Sequence, residues 1–187
     1  VRSVFLLESS PPMYPAPPTE AGGAVRHAVA VACLVAVVAV PSLLTRDLWN
    51  PDEPRYMEVA REMILLKDYV LPHLNGEVYS EKPPMFFWLA GMLWRAGLGY
   101  NAGRVLTALC VSMTLLLVYP LCTGSVGGRG ALLAAGAALS SLLLLKFAKI
   151  GVLDPLLTLF VTAALVLGYR ALHRLDRRPW LAWVGCY

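Results

Sequence analysis

Asn50-Pro51-Asp52-Glu53-Pro54-Arg55-Tyr56, with Glu81-Lys82-Pro83-Pro84 downstream, is the stretch on which the reading of this chain turns. Asp47, Asp52, Glu53, Glu58, Glu62, Asp68, Glu77 and Glu81 make eight of the 12 Asp and Glu residues, and they crowd into this one interval. Apolar sequence lies on both sides. Ala24 to Leu44 carries only Arg26 and His27 near its start, and a membrane-crossing helix needs about 20 apolar residues. A cleaved signal core is shorter, about 7–15 residues, so this run reads as an uncleaved anchor. The acids then form a water-facing loop flush with a bilayer, a placement that suits chemistry at the membrane surface.

Composition supports a membrane protein. The 187 residues are 58% hydrophobic with a mean hydropathy of +0.62, whereas soluble domains hold about 45–50% apolar residues. The net charge of +4 comes from cations that flank apolar runs, as retention on the cytoplasmic side requires, and implies no nucleic-acid partner. Cys33, Cys110, Cys122 and Cys186 lie in or beside apolar segments at spacings that suit neither zinc nor disulfides. They read as small buried hydrophobes. Residues 1–22 are Pro-rich and read as a disordered lead-in. The chain opens on Val1 and stops at Tyr187 inside an apolar run begun at Trp180. Both ends therefore read as truncated, with Met13 as a candidate start.

Beyond the anchor, residues 45–100 read as a polar loop with local structure. Asp52 is placed to cap a helix and Pro54 is tolerated in its first turn. Tyr56, Val59, Ala60 and Met63 then recur at helical spacing, while Arg55, Glu58 and Glu62 share the opposite face. This predicts an amphipathic helix along the membrane surface, ending near Lys67-Asp68. Asn75-Gly76 predicts a turn with positive φ. Pro83–Gly97 is aromatic and only about 15 residues long, short for a crossing. Further spans are expected at about 101–123, 131–148 and 155–173, with another starting at 180, and Gly124 to Gly130 as a tight polar connection. The fold class is all-α: a polytopic transmembrane helix bundle with amphipathic juxtamembrane helices in the first outer loop.

Whether Pro83–Gly97 crosses decides where Asp154 lies. If it lies flat, three crossings precede Asp154, which then shares a face with Asp52. The positive-inside rule favours this arrangement, because Arg129, Arg170, Arg174, Arg177 and Arg178 then join Arg26 on the cytoplasmic side. Lys146 and Lys149 become exceptions on the outer side, where an anionic ligand would account for them.

Each candidate for chemistry has a plainer alternative. Asp52 and Glu53 suit a helix start, yet two acids beside Arg55 and Tyr56 also suit phosphate binding and acid–base work. Glu81 and Lys82 read either as an interfacial ion pair or as a metal-ligating carboxylate beside a phosphate-neutralising lysine. Asp154, before Pro155, is either a helix cap or a functional acid at membrane depth. His73 reads as an exposed loop residue rather than a metal ligand.

Taken in order, Trp49 to Tyr56, Ala60-Arg61-Glu62-Met63, Leu74-Asn75-Gly76 and Tyr79 to Pro84 with Trp88 resemble the first outer loop of a GT-C glycosyltransferase family. That family comprises the bacterial aminoarabinose lipid A transferases and the dolichyl-phosphate-mannose–protein mannosyltransferases (glycosyltransferase family 39). The resemblance covers roughly Leu48 to Tyr169, including Leu153-Asp154-Pro155, and makes residues 23–187 the N-terminal part of a GT-C transmembrane domain. It implies sugar transfer from a polyprenyl-phosphate-linked donor to a lipid A-like or protein acceptor, at the periplasmic or extracellular face of the inner membrane. By the same resemblance Asp52 would be the essential catalytic acid of the first loop and Asp154 the acid of the second, while Glu81 and Lys82 would serve a divalent metal or the donor phosphate. Beside them, the residues themselves offer Glu53 as a further catalytic acid and Arg55, Tyr56 and Lys149 as substrate-binding groups. Family members are several times longer, so these 187 residues alone are expected to give no turnover. The competing readings are a non-catalytic membrane scaffold and a transporter segment; no repeat or pair of broken helices supports transport.

Overall fold

The computed structural model describes residues 21–45, 47–48 and 51–174. The 1–20 part of the expected lead-in and the apolar run from Trp180 lie outside the described residues. Helix α1 (Ala21–Thr45) is followed by α2 (Asp52–Leu66), a two-stranded hairpin of β1 (His73–Leu74) and β2 (Glu77–Val78), and α3 (Met85–Leu93). A π-helical turn (Trp94–Leu98) and a 3-10 turn (Gly99–Asn101) lead into α4 (Ala102–Ser140), α5 (Leu142–Phe147) and α6 (Asp154–Arg174). Among the described residues three stretches are long and apolar enough to cross a membrane: Val25–Leu44, Met85–Thr123 and Asp154–Ala171.

The direction of each helix follows from its neighbours. Ser42 near the end of α1 meets Arg104 at the start of α4, while His27 near the start of α1 stacks on Tyr119, ring centroids 5.5 Å apart. The first arm of α4 is therefore antiparallel to α1. At Gly127 (φ 69, ψ 173) the helix breaks, a backbone position that glycine adopts without steric cost. Gly128 lies against His27 and Gly136 against Leu34, so the second arm runs back alongside α1. The expected connection at 124–130 is thus a single-residue reversal within otherwise helical chain. A second break at Ser141 (ψ 139) separates α5. Val31, Val35 and Ala39, spaced one turn apart, form the buried stripe of α1, and Val31 and Val35 pack with Val111, Leu115, Ala135 and Leu139 of α4. Cys110 is buried, as expected; Cys33 instead faces outward from α1, because it falls off that stripe.

Residues 46–101 are an excursion from one end of this bundle. Their entry at the end of α1 and their exit at the start of α4 meet through Arg104, and α3 packs on α2 through Tyr56, Phe86 and Phe87. Met85–Leu93 adds about 14 Å of helix, and positive φ at Gly97 and Gly99 detaches it from α4. Within the apolar Met85–Thr123 stretch only the α4 portion runs alongside α1. Because the second arm of α4 returns along α1 and Gly151 meets Gly103 and Glu53, Asp154 lies at the same end of the bundle as Asp52.

Within the excursion, Tyr56, Met57, Val59, Ala60 and Met63 form the buried face of α2, and Lys67 closes the helix in the left-handed conformation. Glu62 departs from the expected polar face. It is buried, and its carboxylate accepts from the backbone N–H of Asn75 (2.8 Å) and Gly76 (3.2 Å). These residues form the hairpin tip, with φ of 56° and 82°, the signature of a type I′ turn. Replacing Glu62 with Ala is expected to cost about 1–2 kcal/mol. A lowered thermal midpoint and faster amide exchange at Asn75 and Gly76 would report the loss; unchanged exchange there would contradict it.

Candidate active site

Asp52, Arg55 and Tyr56 occupy the first turns of α2, where the bundle end, α3 and the hairpin meet. Asp52 is half-buried, and the residue preceding the helix is Pro51, with no side-chain cap. The expected capping bond is not made: Asp52 sits one position inside the helix, past the N-cap position that Pro51 occupies.

Tyr56 is the hub of the site. It is 7% exposed, and its phenol is held above the ordinary value of 10.0 by burial first, then by the negative charges of Asp52 and Asp154, with Tyr79 adding to the shift and Arg55 opposing it. Two acids far apart in sequence thus act on one hydroxyl. Tyr79, after β2, is likewise pushed up by burial first. Both phenols keep their protons in the folded chain. The stability this contributes is complete below the ordinary phenol value and is lost as pH rises through the higher folded one.

The Tyr79 hydroxyl is buried and has no partner with hydrogen-bond geometry among the described residues. Arg55 and Glu81 both approach it: proximity to Tyr79 is the foremost influence raising the Arg55 guanidinium, with Asp52 and Glu81 adding to it. These two charged groups are the polar neighbours of the hydroxyl. A cation, a phenol O–H and a second cation on the neighbouring bend at Lys82 can together receive a phosphate.

Glu53 is placed differently from Asp52. It is 1% exposed, and its oxygens accept from Arg104 Nε (2.9 Å) and Nη2 (3.0 Å) and from the Gly151 backbone N–H (2.6 Å). The carboxylate expected to be a second catalytic acid faces into the bundle and is engaged there. Glu81 and Lys82 are exposed after β2, and Lys149 is half-buried in the turn before Gly151. Neither lysine makes an ion pair among the described residues. Asp154 opens α6 and is exposed. His73 is half-buried, with Nδ1 buried and unpaired, so it is not the exposed loop residue expected. Among the described residues no group of three His, Cys, Asp or Glu side chains could hold a metal ion, so Glu81 stands as a single carboxylate and these donors do not by themselves fit a metal.

Two participants escaped sequence reasoning. Tyr79 was visible only as a neighbour of Glu81, with nothing local to mark its hydroxyl. Arg104 carried a usable signal, an arginine inside an apolar run, overlooked because it stands near a span boundary where cations are ordinary.

Comparison with known proteins matches this arrangement. The profile of the dolichyl-phosphate-mannose-protein mannosyltransferase family matches residues 24–186. The undecaprenyl phosphate-alpha-4-amino-4-deoxy-L-arabinose arabinosyl transferase of Pectobacterium atrosepticum is 38% identical over 156 residues, covering 82% of this chain and 28% of the relative. A corresponding transferase of Sodalis glossinidius is 33% identical over 147 residues, 78% of this chain and 27% of its own length. The crystal structure of ArnT from Cupriavidus metallidurans bound to undecaprenyl phosphate superposes with a TM-score of 0.74 at 30% identity, over 89% of this chain and 31% of ArnT. The chain therefore spans under a third of the length of these relatives. The match runs from the anchor helix through the polar loop to α6 and beyond, and this chain belongs to the dolichyl-phosphate-mannose-protein mannosyltransferase family.

Proposed function

We propose that this chain supplies the first outer loop and adjoining spans of an inner-membrane glycosyltransferase. The enzyme moves a sugar from a polyprenyl-phosphate donor to a lipid A-like or protein acceptor at the periplasmic or extracellular face. The observation that carries the reading is that the Asp52 and Asp154 loops are joined at one end of the bundle through Glu53 and Gly151, with Asp52, Asp154, Arg55 and Tyr79 all acting electrostatically on Tyr56. The solved relative bound to undecaprenyl phosphate supplies the class of donor.

The chemistry follows from the charges. The bond between the anomeric carbon and the phosphate oxygen breaks, a new bond forms to the acceptor oxygen, and the polyprenyl phosphate departs with the electron pair. Arg55 and Lys82 neutralise the charge developing on that leaving group, while Tyr79 donates its O–H to it. Asp52 takes the proton of an acceptor hydroxyl, or orients an acceptor that is already anionic. Asp154 faces Tyr56 from the opposite loop and completes the acidic side of the cleft, and Lys149 adds positive charge beside it. A metal at Glu81 would take its other ligands from beyond the described residues, and no step above depends on one.

In the full-length protein, Asp52→Asn is expected to lower sugar transfer by about 2–4 orders of magnitude, measured with a polyprenyl-phosphate sugar in liposomes. Intact transfer would remove Asp52 from the reaction and leave it a structural acid of the helix start. Tyr79→Phe removes a buried hydroxyl that makes no well-formed hydrogen bond among the described residues, so the thermal midpoint should change little while the donor KM rises about tenfold. A lowered midpoint with unchanged KM would place that hydroxyl in the fold rather than at the donor.

A further inference from the structure

The Glu53–Arg104 pair joins the segments on which the proposed reacting groups stand. Arg104, 2% exposed, donates to both Glu53 oxygens, to the Ser42 carbonyl (2.6 Å) and to the Asp47 carbonyl (2.7 Å). Glu53 in turn accepts from the Gly151 N–H at 2.6 Å. Asp52 directly precedes Glu53, and Asp154 begins α6 three residues after Gly151. One guanidinium thus links the end of α1, the start of α2, the start of α4 and the lead into α6.

A second observation, independent of charge, converges on the same point. Gly103 and Gly151 touch backbone to backbone. A Cβ on Gly151 would stand 2.9 Å from the Gly103 carbonyl carbon and 3.0 Å from the Arg104 nitrogen, closer than side-chain carbons approach backbone. Thr107 Oγ1 then donates to the Ile150 carbonyl at 2.9 Å. The lead into α6 is therefore seated on α4 by close packing and by a hydrogen bond, besides its bond to Glu53.

We propose that Arg104 is a positioning residue: acting through Glu53 and Gly151, it fixes the Asp52 loop against the Asp154 loop and so sets the spacing of the two acids about Tyr56. The catalytic consequence rests on the transferase reading above; the tether itself does not. Lysine cannot replace Arg104, because one ammonium cannot reach two carboxylate oxygens and two carbonyls at once in the fixed fork that guanidinium provides.

The test uses the full-length protein reconstituted in liposomes, with Arg104→Lys and Gly151→Ala measured for donor turnover and for amide exchange. Arg104→Lys should lower kcat about 100-fold, the effect of an ångström-scale misplacement of reacting groups, with donor KM changed less than about threefold. Exchange should rise in the 47–53 and 148–154 segments but not along α1 or α4. Gly151→Ala, which pushes the same segment off α4 without touching a charge, should show the same split and carries the test if Arg104→Lys does not fold. Wild-type kcat in either folded variant would overturn the positioning role. So would exchange rising throughout α1 and α4, which would make Arg104 a general support of the bundle. Wild-type protein that transfers no sugar would overturn the transferase reading alone, because local exchange would still support or overturn the tether.

Discussion

Withdrawing a guanidinium and a carboxylate from water costs several kcal/mol per ion, on the order of what their mutual attraction returns in a buried site. Such a pair persists when its remaining donors and acceptors are engaged as well, and Arg104 with Glu53 meets that condition through Ser42, Asp47 and Gly151. Its contribution is therefore registry rather than net stability. The apolar stripes of α1 and α4 could slide by a turn with modest loss of contact, whereas this pair tolerates one arrangement only. Fixing it sets where α2 starts, where the chain enters α6, and which end of the bundle carries the polar loop.

Electrostatics at that end follow from the same constraint. Asp52 and Asp154 both raise the Tyr56 phenol, while Arg55 and Glu81 stand about Tyr79. The aromatic cluster of Tyr56, Tyr79, Phe86 and Phe87, arranged edge to face, provides a low-dielectric floor beneath these charges. In such surroundings a cation or a phenol O–H acts on a developing phosphate charge more strongly than it would in water. Tyr79 is the clearest expression of this: a buried hydroxyl with Arg55 and Glu81 beside it.

Much of this was legible in residue order. The α2 helix showed in the spacing of Tyr56, Val59, Ala60 and Met63, and the hairpin turn in Asn75-Gly76, because each depends on interactions within a few residues. The placement of Asp52 and Asp154 on one face followed from span length and charge bias. Other assignments depended on distant partners. Glu53 and Glu62 look like ordinary solvated acids of an amphipathic helix. Their roles are set by Arg104, Gly151, Asn75 and Gly76, which no local pattern connects to them. Gly127 was visible as part of a glycine-rich connection, but that one residue reverses the helix direction depends on the packing of Gly128 against His27.

The sequence by itself determined the class of fold, the family and the polar stretch on which the proposed site stands, since hydropathy, helical periodicity and an ordered set of motifs are properties of the chain read in line. Only the tertiary structure separated two adjacent carboxylates into different surroundings, Asp52 half-buried at the polar loop and Glu53 buried in the bundle. Successive residues of a helix point about 100° apart, so their environments are decided by what packs on each side. Here that is the polar loop for one acid and the buried guanidinium of Arg104 for the other.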